Sequence, residues 1–243
     1  MCSIIMWKID KGAYLMGNND EYDNRTIRWL EKCESGKFFD IEIPKPYLLR
    51  PANSNIGHRF VHRVMMVTVG GTIAAEYSKG ELSAEKGADG KSMMDRLLSE
   101  VPEEYEIWCT DVAKKDSSAI TSLELDSILA VVKRDYDEFH DFLVIHGTDS
   151  IEETPIYIAH SLQNADTTVL FTGAQYSMDA PASDGPNNIL CSLKLFTALN
   201  GRKFVGVVAN SIGVAAGQSC KIDDFGTIFL GPVASRKYIS LDR

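Results

Sequence analysis

Val64-Met-Met-Val-Thr-Val-Gly-Gly-Thr-Ile-Ala74 and Phe142-Leu-Val-Ile-His-Gly-Thr-Asp149 follow one plan: a short apolar run, then glycine, then threonine. Each run is strand-length and apolar at consecutive positions, so it reads as a strand buried on both faces. Each therefore sets a threonine just past a strand's carboxyl end. In open parallel α/β sheets that edge is where ligands bind. Two threonines and an aspartate there point to nucleophilic chemistry on an amide or ester.

Outward from these runs, strand-like and helix-like segments alternate. Glu76 to Lys91 is rich in Gly, Ser and Lys and reads as a mobile loop that closes over substrate. Ser92 to Val101 has helical character and is closed by Pro102, and Tyr105 to Cys109 is a short strand. Leu123, Leu125, Ile128, Leu129 and Val132 fall at helical spacing within 122–136. Then come strand 142–145, helix 152–163, strand 168–172, helix 185–199, strand 203–209 and a short strand at 226–230. This predicts an α/β fold: a mainly parallel, doubly wound, flavodoxin-like sheet with helices on both faces.

Residues 1–63 lack that rhythm. A short helix is expected at 25–32 and a strand at 38–43, before Pro44, Pro46 and Pro51 break the chain. Charge marks the same division. Residues 1–63 hold ten Lys and Arg against eight Asp and Glu (+2), and residues 64–243 hold fifteen against twenty-six (−11). The chain is therefore read as an N-terminal extension or small module, 1–63, and an α/β domain, 64–243.

The net charge of −9 argues against a nucleic-acid binder. No run of eighteen apolar residues exists, so no membrane span is expected. The first residues carry no basic n-region, and no signal peptide is expected. Cys2, Cys33, Cys109, Cys191 and Cys220 form an odd set without C-x-x-C spacing. They read as reduced thiols of a cytoplasmic protein rather than a disulfide frame or zinc site.

Gly70-Gly71 lets the backbone turn sharply and approach a ligand, presenting Thr72. Alone this is a weak signal, equally a tight turn capped by threonine. Thr148 is read as a nucleophile or the holder of an attacking water, and Asp149 as an acceptor for a substrate ammonium group. Glu152 and Glu153 suit a helix start as capping charges. His146 is read as a structural hydrogen-bonding residue before a general base. Asp116-Ser117-Ser118 is either a helix cap or a clamp on a small polar ligand. Thr172-Gly-Ala-Gln175 and Ser183-Asp-Gly-Pro-Asn-Asn188 read as scaffold, the second opening a helix with proline in its first turn. Lys221 is a candidate base if burial lowers its pKa.

Together these motifs resemble the bacterial-type L-asparaginase/glutaminase family, in its cytoplasmic branch. Thr68-Val-Gly-Gly-Thr-Ile-Ala74 is similar to the family's Thr-Gly-Gly-Thr-Ile-Ala. His146 to Thr154 is similar to His-Gly-Thr-Asp-Thr-Met-Glu-Glu-Thr, with Ser150 and Ile151 substituted. Asp116-Ser117-Ser118, Thr172-Gly-Ala-Gln175 and the block 183–188 follow in the family's order, and Lys221 falls where the family keeps a lysine. The match covers about Val64 to Pro232.

The resemblance implies hydrolysis of the side-chain amide of L-asparagine, and possibly of L-glutamine, to the acid and ammonia. Thr72 would be the acyl-forming nucleophile. Thr148, Asp149 and neutral Lys221 would form a second triad. Asp116, Ser117, Ser118 and Asp149 would line the binding site for the substrate's α-groups, and backbone N–H groups near Ala174 and Thr148 would meet the oxyanion. It implies no metal, no organic cofactor, a homo-oligomer and a small amino-acid amide as partner. Two departures stand out. The family's loop tyrosine would fall by spacing at Leu82 or Ser83, whereas Tyr77 is the tyrosine this loop has. The family's usual smaller C-terminal domain is expected to be lacking. Two further readings follow: a non-catalytic binding or regulatory protein built on the same pocket, and an amidase for a larger, carrier-bound amide.

Overall fold

Side chains alternate along Val64–Val69, Val64 and Met66 on one face, Met65, Val67 and Val69 on the other, and all are buried. Such a strand needs cover on both faces. The structure, a computed structural model, provides it. Described are residues 4–9, 13–18, 43–53, 61–78, 81–83, 89–95, 97–162, 167–209, 212–216, 220–222 and 228–230.

The chain forms two compact units, Met1–Glu42 and Ile43–Arg243. In the first, β1 (Ile4–Ile9) and β2 (Ala13–Asn18) pair antiparallel, from Ile4↔Asn18 to Ile9↔Ala13. Asp10-Lys11-Gly12 between two apolar runs is the sequence signal for this hairpin. The helix expected at 25–32 lies outside the described residues, as does the strand at 38–43 apart from Ile43.

The second unit runs β3 (Tyr47–Arg50), β4 (His62–Gly70), β5 (Glu76–Ser78), β6 (Glu81–Ser83), α1 (Gly90–Met94), β7 (Tyr105–Lys115), α2 (Ser122–Asp135), β8 (Asp141–Ile145), α3 (Thr154–Ser161), β9 (Thr168–Thr172), α4 (Gly185–Leu199), β10 (Phe204–Ala209), β11 (Ile212–Ala215), β12 (Cys220–Ile222) and β13 (Ile228–Leu230). Seven strands share one sheet in the order β11-β10-β9-β8-β4-β7-β3. The inner five are parallel, and β3 and β11 add antiparallel edges. In chain order the parallel strands lie 2-1-3-4-5, the doubly wound, flavodoxin-like order.

Three expectations shift. The unit boundary falls at Glu42–Ile43 rather than near residue 63, because β3 is held in the sheet. The Arg50 guanidinium donates to the carbonyls of Val101 (3.0 Å), Pro102 (2.8 Å) and Tyr105 (2.7 Å). The helix expected at 92–101 is α1 followed by hydrogen-bonded turns to Val101. The loop expected at 76–91 contains the β5–β6 hairpin, which pairs Tyr77 with Leu82.

Met93 and Met94 of α1 share one core with Ile189, Leu193 and Phe196 of α4. Ile128, Leu129, Val131 and Val132 of α2 share the other with Ile158 of α3. This assignment fixes the hand of each crossover. The steps β8–α3–β9 and β9–α4–β10 move the same way across the sheet, yet their helices lie on opposite faces. The last crossover therefore has the opposite hand to the other three, against a strong general preference for one hand. It carries the connection 173–184 back across the sheet edge towards Thr72, where Met178 N–H donates to Ile73 O at 3.0 Å.

Candidate active site

The strand order reverses between β4 and β8, so the crevice at their carboxyl ends is the topological switch point. β4 ends in Gly70 (φ 114°) and Gly71 (φ 80°), both in the region that favours glycine. A Cβ on Gly71 would sit 2.3 Å from Gly147 Cα, and one on Gly70 would sit 2.5 Å from the Lys115 backbone. The glycine pair thus lets the β4 turn lie directly against the ends of both neighbouring strands. Gly71 N–H donates to Lys115 O at 2.8 Å. Thr72 then opens a single 3-10 turn, Thr72–Ala74, half-buried itself but with Ile73 and Ala74 buried beneath it.

Thr148 and Asp149 follow β8 on the adjoining turn, half-buried and exposed respectively. A Cβ on Gly147 would meet Ser117 Oγ at 2.5 Å. Asp149 N–H donates to Ser117 Oγ at 3.0 Å, and Ser150 Oγ donates to Ser117 O at 2.9 Å. Buried Ser117 therefore ties the turn after β7 to the turn after β8. Asp116 accepts from Ser118 N–H at 2.9 Å and from Ser118 Oγ at 2.6 Å, so here it caps the short turn that carries Ser117.

The fourth wall is the connection after β9. A Cβ on Gly173 would lie 2.6 Å from His146 O and 3.4 Å from Thr148 Cγ2, and Ala174 is buried. Asp184 holds this segment in shape: its Oδ1 accepts from Gln175 N–H at 2.9 Å, and its Oδ2 from Asn188 Nδ2 at 3.1 Å. Ser177 Oγ donates to Ala75 O at 2.5 Å. The block 183–188 is thus a brace, as its scaffold reading expects. Ser177 is a bracing residue that the sequence does not single out.

His146 is fully buried, its Nδ1 2.7 Å from Gly147 O and its Nε2 3.1 Å from Thr154 Oγ1. Burial pushes its pKa down to about 4, so it is neutral at pH 7 and structural. Glu153 precedes α3 without a side-chain capping bond. Lys221 lies in β12, paired with Phe229 of β13, and its side chain is outside the described residues. Among the described residues no cluster of His, Cys, Asp or Glu is arranged to hold a metal ion, and no helix is long and apolar enough to cross a membrane.

Two threonine-bearing turns thus meet in backbone contact at the switch point of a doubly wound sheet. The chain belongs to the asparaginase family: the model of its N-terminal region, "Asparaginase, N-terminal", matches residues 63–226. Among curated relatives, the 60 kDa lysophospholipase of Homo sapiens is 40% identical over 78 residues, covering 32% of this chain and 14% of that protein. A glutamyl-tRNA(Gln) amidotransferase component from Archaeoglobus fulgidus is 25% identical over 193 residues, covering 73% of this chain and 44% of that one. The solved L-asparaginase of Thermococcus kodakarensis superposes with a TM-score of 0.56 at 23% identity, covering 66% of this chain and 47% of that one, a likeness of fold. The chain spans about half or less of the length of the curated relatives it matches.

Proposed function

We propose that the chain is an amidohydrolase that cleaves the side-chain amide of L-asparagine, with L-glutamine as a second substrate, through a threonine acyl-enzyme. The observation that carries this reading is the approach of the Thr72 and Thr148 turns through Gly71 and Gly147 at the switch point. Thr72 Oγ adds to the amide carbon, its proton leaving through a neutral Lys221. The C–N bond breaks, the nitrogen takes the proton, and ammonia departs. Water held by Thr148 then cleaves the acyl ester and restores Thr72. Backbone N–H groups near Ala174 and Thr148 meet the oxyanion, and Asp149 with Ser117 receives the α-ammonium and α-carboxylate. The reaction uses no metal or organic cofactor, and the reading includes assembly of several copies in the cytoplasm.

A second reading is an amidase for an amide held on a larger carrier, favoured by the likeness to an amidotransferase component over 73% of the chain. Ammonia release from L-asparagine, L-glutamine and a carrier-bound glutamine, by wild type beside Thr72→Ala and Thr148→Ala, separates the readings, and light scattering reports the assembly. Release from the free amides, lost at least 1000-fold in both variants, is expected. Release from the carrier-bound amide alone would favour the second reading. No release from any amide by folded protein would point to a binding role.

A further inference from the structure

Asp111, near the carboxyl end of β7, gathers donors from three separate elements. Its Oδ1 accepts from Thr68 Oγ1 of β4 at 2.5 Å and from Gly90 N–H at the start of α1 at 2.9 Å. Its Oδ2 accepts from Tyr47 OH of β3 at 2.6 Å. Burial first, then the bond to Asp111, pushes the Tyr47 hydroxyl well above its ordinary pKa, which keeps it a donor.

Position gives this carboxylate its interest. Thr68↔Asp111 is the last regular pair of β4 and β7 before an irregularity, after which Gly70 pairs with Lys115. β7 advances four residues there while β4 advances two, a bulge next to the turn that bears Thr72. A bulge releases the register of whatever follows it, and the Thr68–Asp111 bond fixes the register of what precedes it. Gly90 closes the segment that begins at Thr72. A Cβ on Gly90 would lie 2.2 Å from Cys109 Sγ, so the backbone seats directly on β7. One side chain thus holds the end of the strand that leads into the Thr72 turn and the start of α1.

We propose that Asp111 is a positioning residue that holds the approach to the Thr72 turn and the start of α1 in one arrangement through Thr68 and Gly90. Its kinetic consequence rests on the amidohydrolase reading, while the coupling itself does not.

The test compares full-length wild type, Asp111→Ala, Asp111→Asn and Tyr47→Phe. Amide hydrogen exchange is read at Gly71, Ala74 and Ala75, and at Gly90 and Met93. In Asp111→Ala both groups are expected to exchange at least tenfold faster while β8 and β9 keep wild-type protection. Asp111→Asn keeps an acceptor for Thr68 and Gly90 and restores most of that protection. Faster exchange in one group only, or in neither, overturns the proposal. Where wild type releases ammonia, kcat measured well below each melting temperature falls at least tenfold in Asp111→Ala with KM within threefold, and recovers in Asp111→Asn. Tyr47→Phe stays within threefold throughout. A lower melting temperature with unchanged kcat would mark Asp111 as merely structural. If wild type releases no ammonia, the amidohydrolase reading fails and exchange alone decides for or against Asp111.

Discussion

Burial moves the protonation of two side chains in opposite directions. His146 is pushed down to about 4 and Asp141, whose Oδ1 has no hydrogen-bond partner, is pushed up to about 6. Folded His146 holds its proton less tightly than the unfolded chain does. Its contribution to stability is full above the ordinary imidazole value and is lost as pH falls towards 4. Folded Asp141 holds its proton more tightly, so its contribution is full below the ordinary carboxylate value and is lost as pH rises through 6. Asp141→Asn is therefore expected to be more stable than wild type by about 1–2 kcal/mol above pH 7, with the difference vanishing near pH 4. Thermal melts across that range check it, and parallel curves for the two proteins would remove burial as the cause. At this scale Thr72, Thr148 and Asp149 were legible because strand, glycine and polar residue adjoin in sequence. Asp111 was not. A lone acid in Tyr105–Lys115 has no spacing partner, and its donors come from positions 47, 68 and 90.

Among elements, the β5–β6 hairpin bears on the proposed chemistry through its register. Its register sets Tyr77 opposite Leu82, one of the two positions where spacing would put the family's loop tyrosine. The register thus makes Tyr77 and Leu82 facing backbone positions of one hairpin. Tyr77→Phe is expected to lower kcat for amide hydrolysis about tenfold or more with KM within threefold. Unchanged kcat would exclude Tyr77 from assisting Thr72. The strands flanking the glycine turns, and α4 with Pro186 in its first turn, followed from sequence pattern. The burial of Met93, Met94, Leu97 and Val101 has helical spacing, which is why 92–101 read as one helix. Beyond Met94 the backbone continues as turns, with Leu97 N–H on Met94 O and Glu100 N–H on Leu97 O. Side-chain periodicity alone does not distinguish the two.

For the whole molecule, the mainly parallel sheet covered on both faces followed from β/α alternation, whereas the domain boundary did not. Charge balance placed it near 63, but charge reports on surface and not on pairing, and β3 joins the sheet across that line. A chain beginning at residue 43 is expected to exceed one beginning at residue 61 in unfolding free energy by at least about 2 kcal/mol, since the shorter chain loses the Arg50 and Tyr47 hydrogen bonds. Denaturant titration of the two checks this, and equal midpoints would show that β3 adds nothing. The reversed last crossover bears on biosynthesis. The brace on the Thr72 turn, Ser177 and Met178 with Asp184 behind them, lies on a connection anchored by α4 and β10. Domains form as units while the ribosome delivers them from the N-terminus. A nascent chain that has not yet emerged through Ala209 therefore carries the Thr72 turn before the elements that anchor its brace have formed.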